Sequence, residues 1–174
     1  MHLTTARLVL RPWTADDLEP LTAIHADPDV MRYIGSGQTR DREATRATIE
    51  RWSRGLEERG FGLLATELAE TGELAGMAGL AVPSFLPEIL PAIEVGYRIK
   101  RELWGRGLAT EAAAALVEHA FGPLGIERLV GIAHVDNAGS RRVLEKLGMT
   151  VERETVVPGD ETPVAVYERL AARS

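Results

Sequence analysis

The sequence predicts an α/β protein, a single domain with a mixed, mostly antiparallel sheet of about seven strands flanked by about four helices. Three observations carry that expectation. Strand-patterned segments follow one another through short turns in the middle and at the end of the chain, as antiparallel neighbours do. One strand runs through a glycine-broken turn into an alanine-rich helix and on to a further strand, which makes its two strands parallel neighbours. The 174 residues contain no internal repeat, low-complexity stretch or linker, so one core is expected to span 1–174.

In chain order, Arg7 to Trp13 is a short β pattern stopped by Pro12. Thr14 to Asp17 reads as a helix N-cap with acidic residues in the first turn, and Leu18, Leu21 and Ile24 give that helix one apolar face. Asp27-Pro28-Asp29 breaks it, and Val30 to Ile34 adds a further turn before the Gly35-Ser36-Gly37 loop. A second helix is predicted from about Arg40 to Glu58, with Ala44, Ala47, Ile49 and Trp52 inward and Gly60 as its stop. Residues 61–68 and 74–82 are predicted strands of a hairpin. Pro83 to Pro91 combines three prolines with four large apolar residues. It forms no regular element, and either folds back onto the core, lines an acceptor pocket or makes a dimer contact.

Residues 92–100 alternate, with Ile93, Val95, Tyr97 and Ile99 on one face and Glu94, Gly96, Arg98 and Lys100 on the other. The helix after the glycine turn keeps Leu108, Ala112, Ala115, Leu116 and His119 together, and Gly122-Pro123 ends it. Residues 128–134 form the next predicted strand. Asp136-Asn137 opens a helix through Leu147 that Gly148 closes, and 150–157 with 163–170 make a closing strand pair.

Composition narrows the function classes. The absence of cysteine excludes disulfides, thiolate metal sites and a cysteine nucleophile. A net charge of −6 argues against a nucleic-acid binder. No apolar run approaches the roughly 18 residues of a membrane span, and the N-terminus lacks a basic segment followed by an apolar one, so the expectation is a cytoplasmic protein without a membrane partner. Arg98, Lys100, Arg101 and Arg106 nevertheless crowd one short stretch, with Arg141 and Arg142 later, which suits a compact polyanionic ligand.

That stretch leads into Trp104-Gly105-Arg106-Gly107-Leu108-Ala109-Thr110-Glu111-Ala112. Two glycines and an alanine at alternate positions leave no bulky side chain over the turn, so its amides can face a ligand. A helix starting there adds unpaired N–H groups and the positive end of its dipole, a place for a phosphate or pyrophosphate. A Walker-type loop requires a lysine after its last glycine, and none follows here. A dinucleotide fingerprint requires a third small residue where Thr110 stands, in the first of several parallel units, whereas antiparallel strands come first here.

The remaining pattern is the acetyl-CoA pyrophosphate loop, Gln/Arg-x-x-Gly-x-Gly/Ala, and the chain resembles the GNAT superfamily of N-acyltransferases over nearly its whole length. Gly107 and Ala109 match the last two small positions, while Trp104 departs from Gln/Arg. The run is similar to Tyr/Phe-Trp-Gly-x-Gly-x-Ala-Thr-Glu-Ala, typical of the branch containing the bacterial ribosomal-protein N-terminal (RimJ/RimL-like) acetyltransferases. The segment from His134 to Met149 is similar to that branch's Asn-x-x-Ser-x-x-x-Leu-Glu-Lys-x-Gly-Phe/Met signature, in the right order and about 30 residues on. The resemblance implies a GNAT-like fold and direct transfer of an acetyl group from acetyl-CoA to a primary amine, on a protein N-terminus or a small molecule. It implies no metal and no enzyme-bound acyl group, and leaves a homodimer open. For the donor it points to Ile99, Arg101, Trp104, Gly105, Arg106, Gly107, Leu108, Ala109, Thr110, Asn137, Ser140 and Arg142, and for the acceptor to Met31, Tyr33 and Gln38.

The amine must be neutral to attack. At pH 7 this costs roughly 4 to 5 kcal/mol for a lysine-like amine of pKa about 10.4, and about 1 for an α-amino group near 8. Glu94, on the strand feeding the turn, is the first candidate base, with a structural ion pair to Arg98 or a neighbouring strand as its alternative role. His134, at the end of the next strand, is the second. Many GNAT enzymes use a tyrosine on the last helix to protonate the leaving thiolate, and Leu144 aligns with it here. A thiol of pKa about 8.5 needs less help than the amine. The resemblance implies Ser140 near that thiol and Asn137 at the pantetheine arm, whereas spacing alone makes Asn137 a helix cap with Ser140 in its first turn. The missing tyrosine motivates a second reading, a non-catalytic acyl-CoA-binding or sensing module. An acidic surface suits a cationic peptide or amine as acceptor.

Overall fold

The computed structural model describes residues 1–172. Among them are eight strands and five α-helices: β1 (Leu3–Thr4), β2 (Leu8–Arg11), α1 (Leu18–Ala26), α2 (Pro28–Met31), α3 (Arg42–Arg59), β3 (Leu63–Leu68), β4 (Leu74–Ala81), β5 (Ile93–Ile99), α4 (Leu108–Phe121), β6 (Arg128–His134), α5 (Ala138–Lys146), β7 (Thr150–Val157) and β8 (Thr162–Leu170). They form one sheet in the order β1-β2-β3-β4-β5-β6-β8-β7. Every neighbouring pair is antiparallel except β5 and β6. The expected class holds. The additional strand is the two-residue β1, and the further turn expected after Asp29 is the one-turn α2, capped by the Asp27 side chain on Asp29 N–H at 2.9 Å.

The alternation of β5 divides the interior. Val95 and Ile99 join the larger apolar cluster with α4 residues such as Ala112 and Leu116, and Tyr97 packs against it. On the other face Ala65, Leu74 and Met77 meet Leu21 and Ile24 of α1 and Trp52 of α3. Glu94, Gly96 and Arg98 therefore point to the α1 and α3 side.

Two helix faces differ from expectation. Ala44 and Ala47 are exposed, and α3 buries Thr45, Thr48 and Trp52 instead, with Ile49 half-buried. The threonines tolerate burial because their hydroxyls are bonded: Thr48 Oγ1 donates to Ala44 O at 2.8 Å and Thr45 Oγ1 meets His25 Nδ1 at 3.0 Å. In α4 the buried set is Leu108, Ala112, Ala113, Leu116, Val117 and Ala120, while Ala115 and His119 are half-buried. The helix packs on β5, β4, β2 and α5 at once, so its inward stripe is wider and rotated relative to a single contact line.

Leu86 and Ile89 of the proline-rich loop bury against Val130, Val164 and Val166, so this segment folds back onto the core. Phe85 remains 48% exposed.

The parallel ladder is short. Only Ile93 with Leu129 and Glu94 with Val130 pair across β5 and β6, although each strand continues for several residues. Beyond that point the strands part. Leu144 of α5 wedges against β6 there: a Cβ on Gly131 would lie 2.3 Å from Leu144 Cδ2, so the position accepts only glycine without repacking.

Candidate active site

After β5 the chain makes a 3-10 turn at Arg101–Leu103 and then the glycine turn. Gly105 and Gly107 both have φ 77°, a region costly for side-chain-bearing residues, and Gly107 is the N-cap of α4. No side chain caps this helix, so its first-turn amides, from Leu108 to Thr110, stay unpaired along with the dipole's positive end. Three contacts hold the turn. Trp104 Nε1 donates to Ile99 O at 2.7 Å, which gives the tryptophan a structural reason to stand where the family pattern has Gln or Arg. Arg7 Nη1 donates to Arg106 O at 2.9 Å, and Glu111 accepts from Thr5 Oγ1 at 2.6 Å and from Arg7 N and Nε at 2.8 and 2.6 Å. These bonds keep the Glu111 carboxyl below the usual carboxylate range despite partial burial.

A cavity of about 780 Å³ extends from this turn into the gap between β5 and β6. Of the residues expected at the donor, Ile99, Trp104, Gly105, Gly107, Leu108, Ala109, Thr110, Asn137, Ser140 and Arg142 line it. Arg101 and Arg106 do not. Arg101 pairs with Asp29 at 2.8 Å, joining the turn to α2, and Arg106 contributes its carbonyl to Arg7. Asn137 caps α5, its Oδ1 accepting from Ser140 N–H at 3.0 Å, so the capping role holds for this lining residue.

Glu94 lines the same cavity, at the last paired position before the strands part. Among the described residues no ion pair or hydrogen bond engages its side chain, and burial pushes its carboxyl up to about 8. Tyr97 reaches across the gap, its hydroxyl 3.0 Å from Ser140 O and 3.1 Å from Ser140 Oγ. Burial holds this phenol well above its ordinary pKa, so it stays protonated. Leu144 lines the wall nearby. His134 lies outside the cavity lining; its ring stacks on Tyr33 with centroids 5.0 Å apart, and its Nδ1 accepts the Asp136 N–H at 3.1 Å.

Of the residues expected at the acceptor, Tyr33 lines the cavity, joined by Val30, Ile34, Gly35 and Phe85. Met31 is fully buried in the core, and Gln38 is exposed away from the cavity. Arg98, expected in the basic cluster for a polyanionic ligand or as an ion-pair partner of Glu94, also lines it and makes no ion pair with Glu94. Its Nη1 donates to His25 Nε2 at 2.7 Å, and His25 Nδ1–H faces Thr45 Oγ1. Burial, with Arg98 and Arg40 nearby, drives His25 down to about 3, so the imidazole is neutral and accepts from Arg98. No spacing rule links residues 25 and 98; only the β alternation of 94, 96 and 98 hinted that Arg98 shares a face with Glu94.

A family model described as an acetyltransferase (GNAT) domain matches residues 7–150. The uncharacterized N-acetyltransferase YoaA of Bacillus subtilis (strain 168) is 31% identical over 150 residues, covering 86% of this chain and 83% of that protein. The crystal structure of an acetyltransferase from Agrobacterium tumefaciens str. C58 superposes with a TM-score of 0.82 at 30% identity, over 97% of this chain and 94% of that one. RimL, a ribosomal L7/L12 alpha-N-protein acetyltransferase solved with coenzyme A, shares the fold with a TM-score of 0.79 at 20% identity, over 98% of both chains. With a family model spanning most of its length and the parted parallel strands in place, the chain belongs to the GNAT acetyltransferases and is an acetyltransferase enzyme.

Proposed function

We propose that the protein transfers the acetyl group of acetyl-CoA to a primary amine, either a protein N-terminus or a small-molecule amine. One observation carries this reading: a single cavity joins the uncapped amides of α4 to Glu94 through the gap between β5 and β6. The residues fit a CoA donor. The open glycine turn suits its pyrophosphate, Arg142 and Lys146 add positive charge to the lining, and the unpaired edges of β5 and β6 offer backbone groups to an extended arm. The donor supplies an activated acetyl group that passes to the amine nitrogen with release of the CoA thiol.

The chain's own task is proton management. Glu94, unpaired and with a carboxyl pKa of about 8, takes a proton from the incoming ammonium directly or through water. Against an α-amino group near 8 that exchange is nearly even, and against a lysine-like amine it is uphill by roughly 3 kcal/mol. An α-amine is therefore the better match, in keeping with the α-N-protein acetyltransferase activity in RimL's name. Ser140, backed by the Tyr97 hydroxyl, offers a hydrogen bond to the departing sulfur in place of the tyrosine that Leu144 replaces. For His134 to act as base, its Nδ1 would have to release the Asp136 amide, since the neutral ring then carries its proton on Nε2.

Thiol release from acetyl-CoA with a panel of peptides, amino acids and polyamines, with mass spectrometry of the products, tests this. An N-acetylated product is expected. Acetyl-CoA binding without thiol release on any amine would favour the non-catalytic module instead.

A further inference from the structure

The acceptor end of the cavity contains a guanidinium with no counter-ion. Arg98 is half-buried, its Nε is sealed from solvent without a partner, and its Nη1 reaches only the neutral His25. No carboxylate pairs with it among the described residues, although the chain has 26 acidic side chains against 20 basic ones. The neighbouring charge is of the same sign: Arg40 donates to Thr48 Oγ1 at 3.2 Å and likewise has no acidic partner among the described residues. Two arginines therefore face a shared, poorly solvated region, and together with the burial of Arg98 this repulsion lowers its pKa to about 9, leaving it charged at neutral pH. A desolvated cation is costly unless an anion completes it, and with Nε enclosed and Nη1 on His25, Nη2, which has no hydrogen-bond partner among the described residues, is the donor left for a ligand. His25, fixed between Thr45 and Arg98, orients the guanidinium without neutralising it.

We propose that Arg98 binds an anionic group of the acceptor, a carboxylate, so that the enzyme's acceptors are amines that also carry a carboxylate several bonds away. This rests on the acetyltransferase reading above and narrows its substrate class. Glu94 and Arg98 lie on one face of β5 four residues apart, about 13 Å along the strand. A separation of that order matches the two ends of a short peptide or a long amino acid rather than an amino acid's own α-amine and α-carboxylate. Met77, directly opposite Arg98 on β4, together with Val30 and Tyr33, adds apolar surface to the same cavity. This refines the expectation from overall charge alone: the acidic exterior suits cations, while this pocket is positive.

The test pairs di- and tripeptides having a free C-terminal carboxylate with the same peptides amidated, scored by thiol release from acetyl-CoA. The carboxylate member is expected to be favoured by about tenfold or more in kcat/KM. Arg98→Met is expected to erase the preference, and Arg98→Lys to retain part of it, with the KM for acetyl-CoA unchanged in both. Calorimetry of the N-acetylated peptide and its amide against wild-type enzyme with CoA reads the same preference without turnover, so it decides even if no amine is acetylated or a variant fails to fold. Equal handling of both members by the wild type, or variants that raise the KM for acetyl-CoA while keeping the acceptor preference, would overturn the assignment. Absence of turnover with a preserved binding preference would count against acetyl transfer to these peptides but not against the carboxylate site.

Discussion

The two ends of the cavity are built by different means. The end proposed for the donor is mainly a backbone device: a turn with two left-handed glycines, an uncapped helix and a clamp from Trp104, Arg7 and Glu111 that fixes main-chain amides. The acceptor end is a side-chain device, in which Tyr33, Phe85, Arg98 and Glu94 come from three separate stretches of the chain, and Arg98 is oriented by a histidine 73 residues away. A backbone device binds a ligand common to many enzymes, and a side-chain device can be changed residue by residue to choose a partner. The donor end should therefore tolerate few substitutions and affect every acceptor alike, while acceptor-end changes should sort acceptors.

The largest expected effect lies where the two ends meet. Glu94→Gln should lower kcat by about a hundredfold or more and remove the rise of activity through pH 8 that ionisation of Glu94 produces, as read from kcat against pH. The same substitution has an opposite signature in stability. Because the folded-state pKa is raised from 4.5 to about 8, the wild type is most stable, as far as this group is concerned, below about pH 4.5 and loses that contribution as pH rises towards 8. Glu94→Gln should thus gain stability relative to wild type between pH 5 and 8.5, by about 1 to 3 kcal/mol after allowance for cavity water, in denaturant melts.

Next in size, Gly107→Val places a β-branched residue at φ 77° and should raise the KM for acetyl-CoA about tenfold for every acceptor alike. A variant in which only some acceptors suffer would break the division between the ends. Glu111→Ala releases Thr5 and Arg7 from the turn; it should cost about 1 kcal/mol of stability in thermal melts and raise the donor KM a few-fold. Smallest of all, Phe85→Ala should raise the KM of apolar acceptors about two- to fivefold and leave the donor KM unchanged.

The same division explains what could be read from the sequence. The glycine turn with its uncapped helix start was legible because glycine at 105 and 107, a small residue at 109 and a helix thereafter are local requirements of an amide cradle. The parallel pair followed from the strand–turn–helix–strand unit, whereas the insertion of β8 between β6 and β7 carries no local mark in the sequence. Met31 and Gln38 carried no local mark that one is fully buried and the other exposed, and their neighbours Val30 and Gly35 reach the cavity instead. The threonine face of α3 was hidden for a related reason: a hydroxyl is polar in a residue count but can be buried once it donates, as Thr48 does to Ala44 O, or accepts, as Thr45 does from His25 Nδ1–H. Tyr97 and Ser140 are 43 positions apart, and their contact exists only because the ladder between β5 and β6 stops after Glu94.

Trp104 has a further use. The protein has three tryptophans, and two of them, Trp13 and Trp52, stack with centroids 5.4 Å apart beneath α1 and away from the donor turn. Trp104 is 51% exposed on the cavity wall, with its indole N–H tied to Ile99 O. Its emission should therefore respond when a nucleotide ligand occupies the turn, over a nearly constant background from the stacked pair. The protein thus carries an intrinsic fluorophore for titrating its donor, with Trp104→Phe as the silent control.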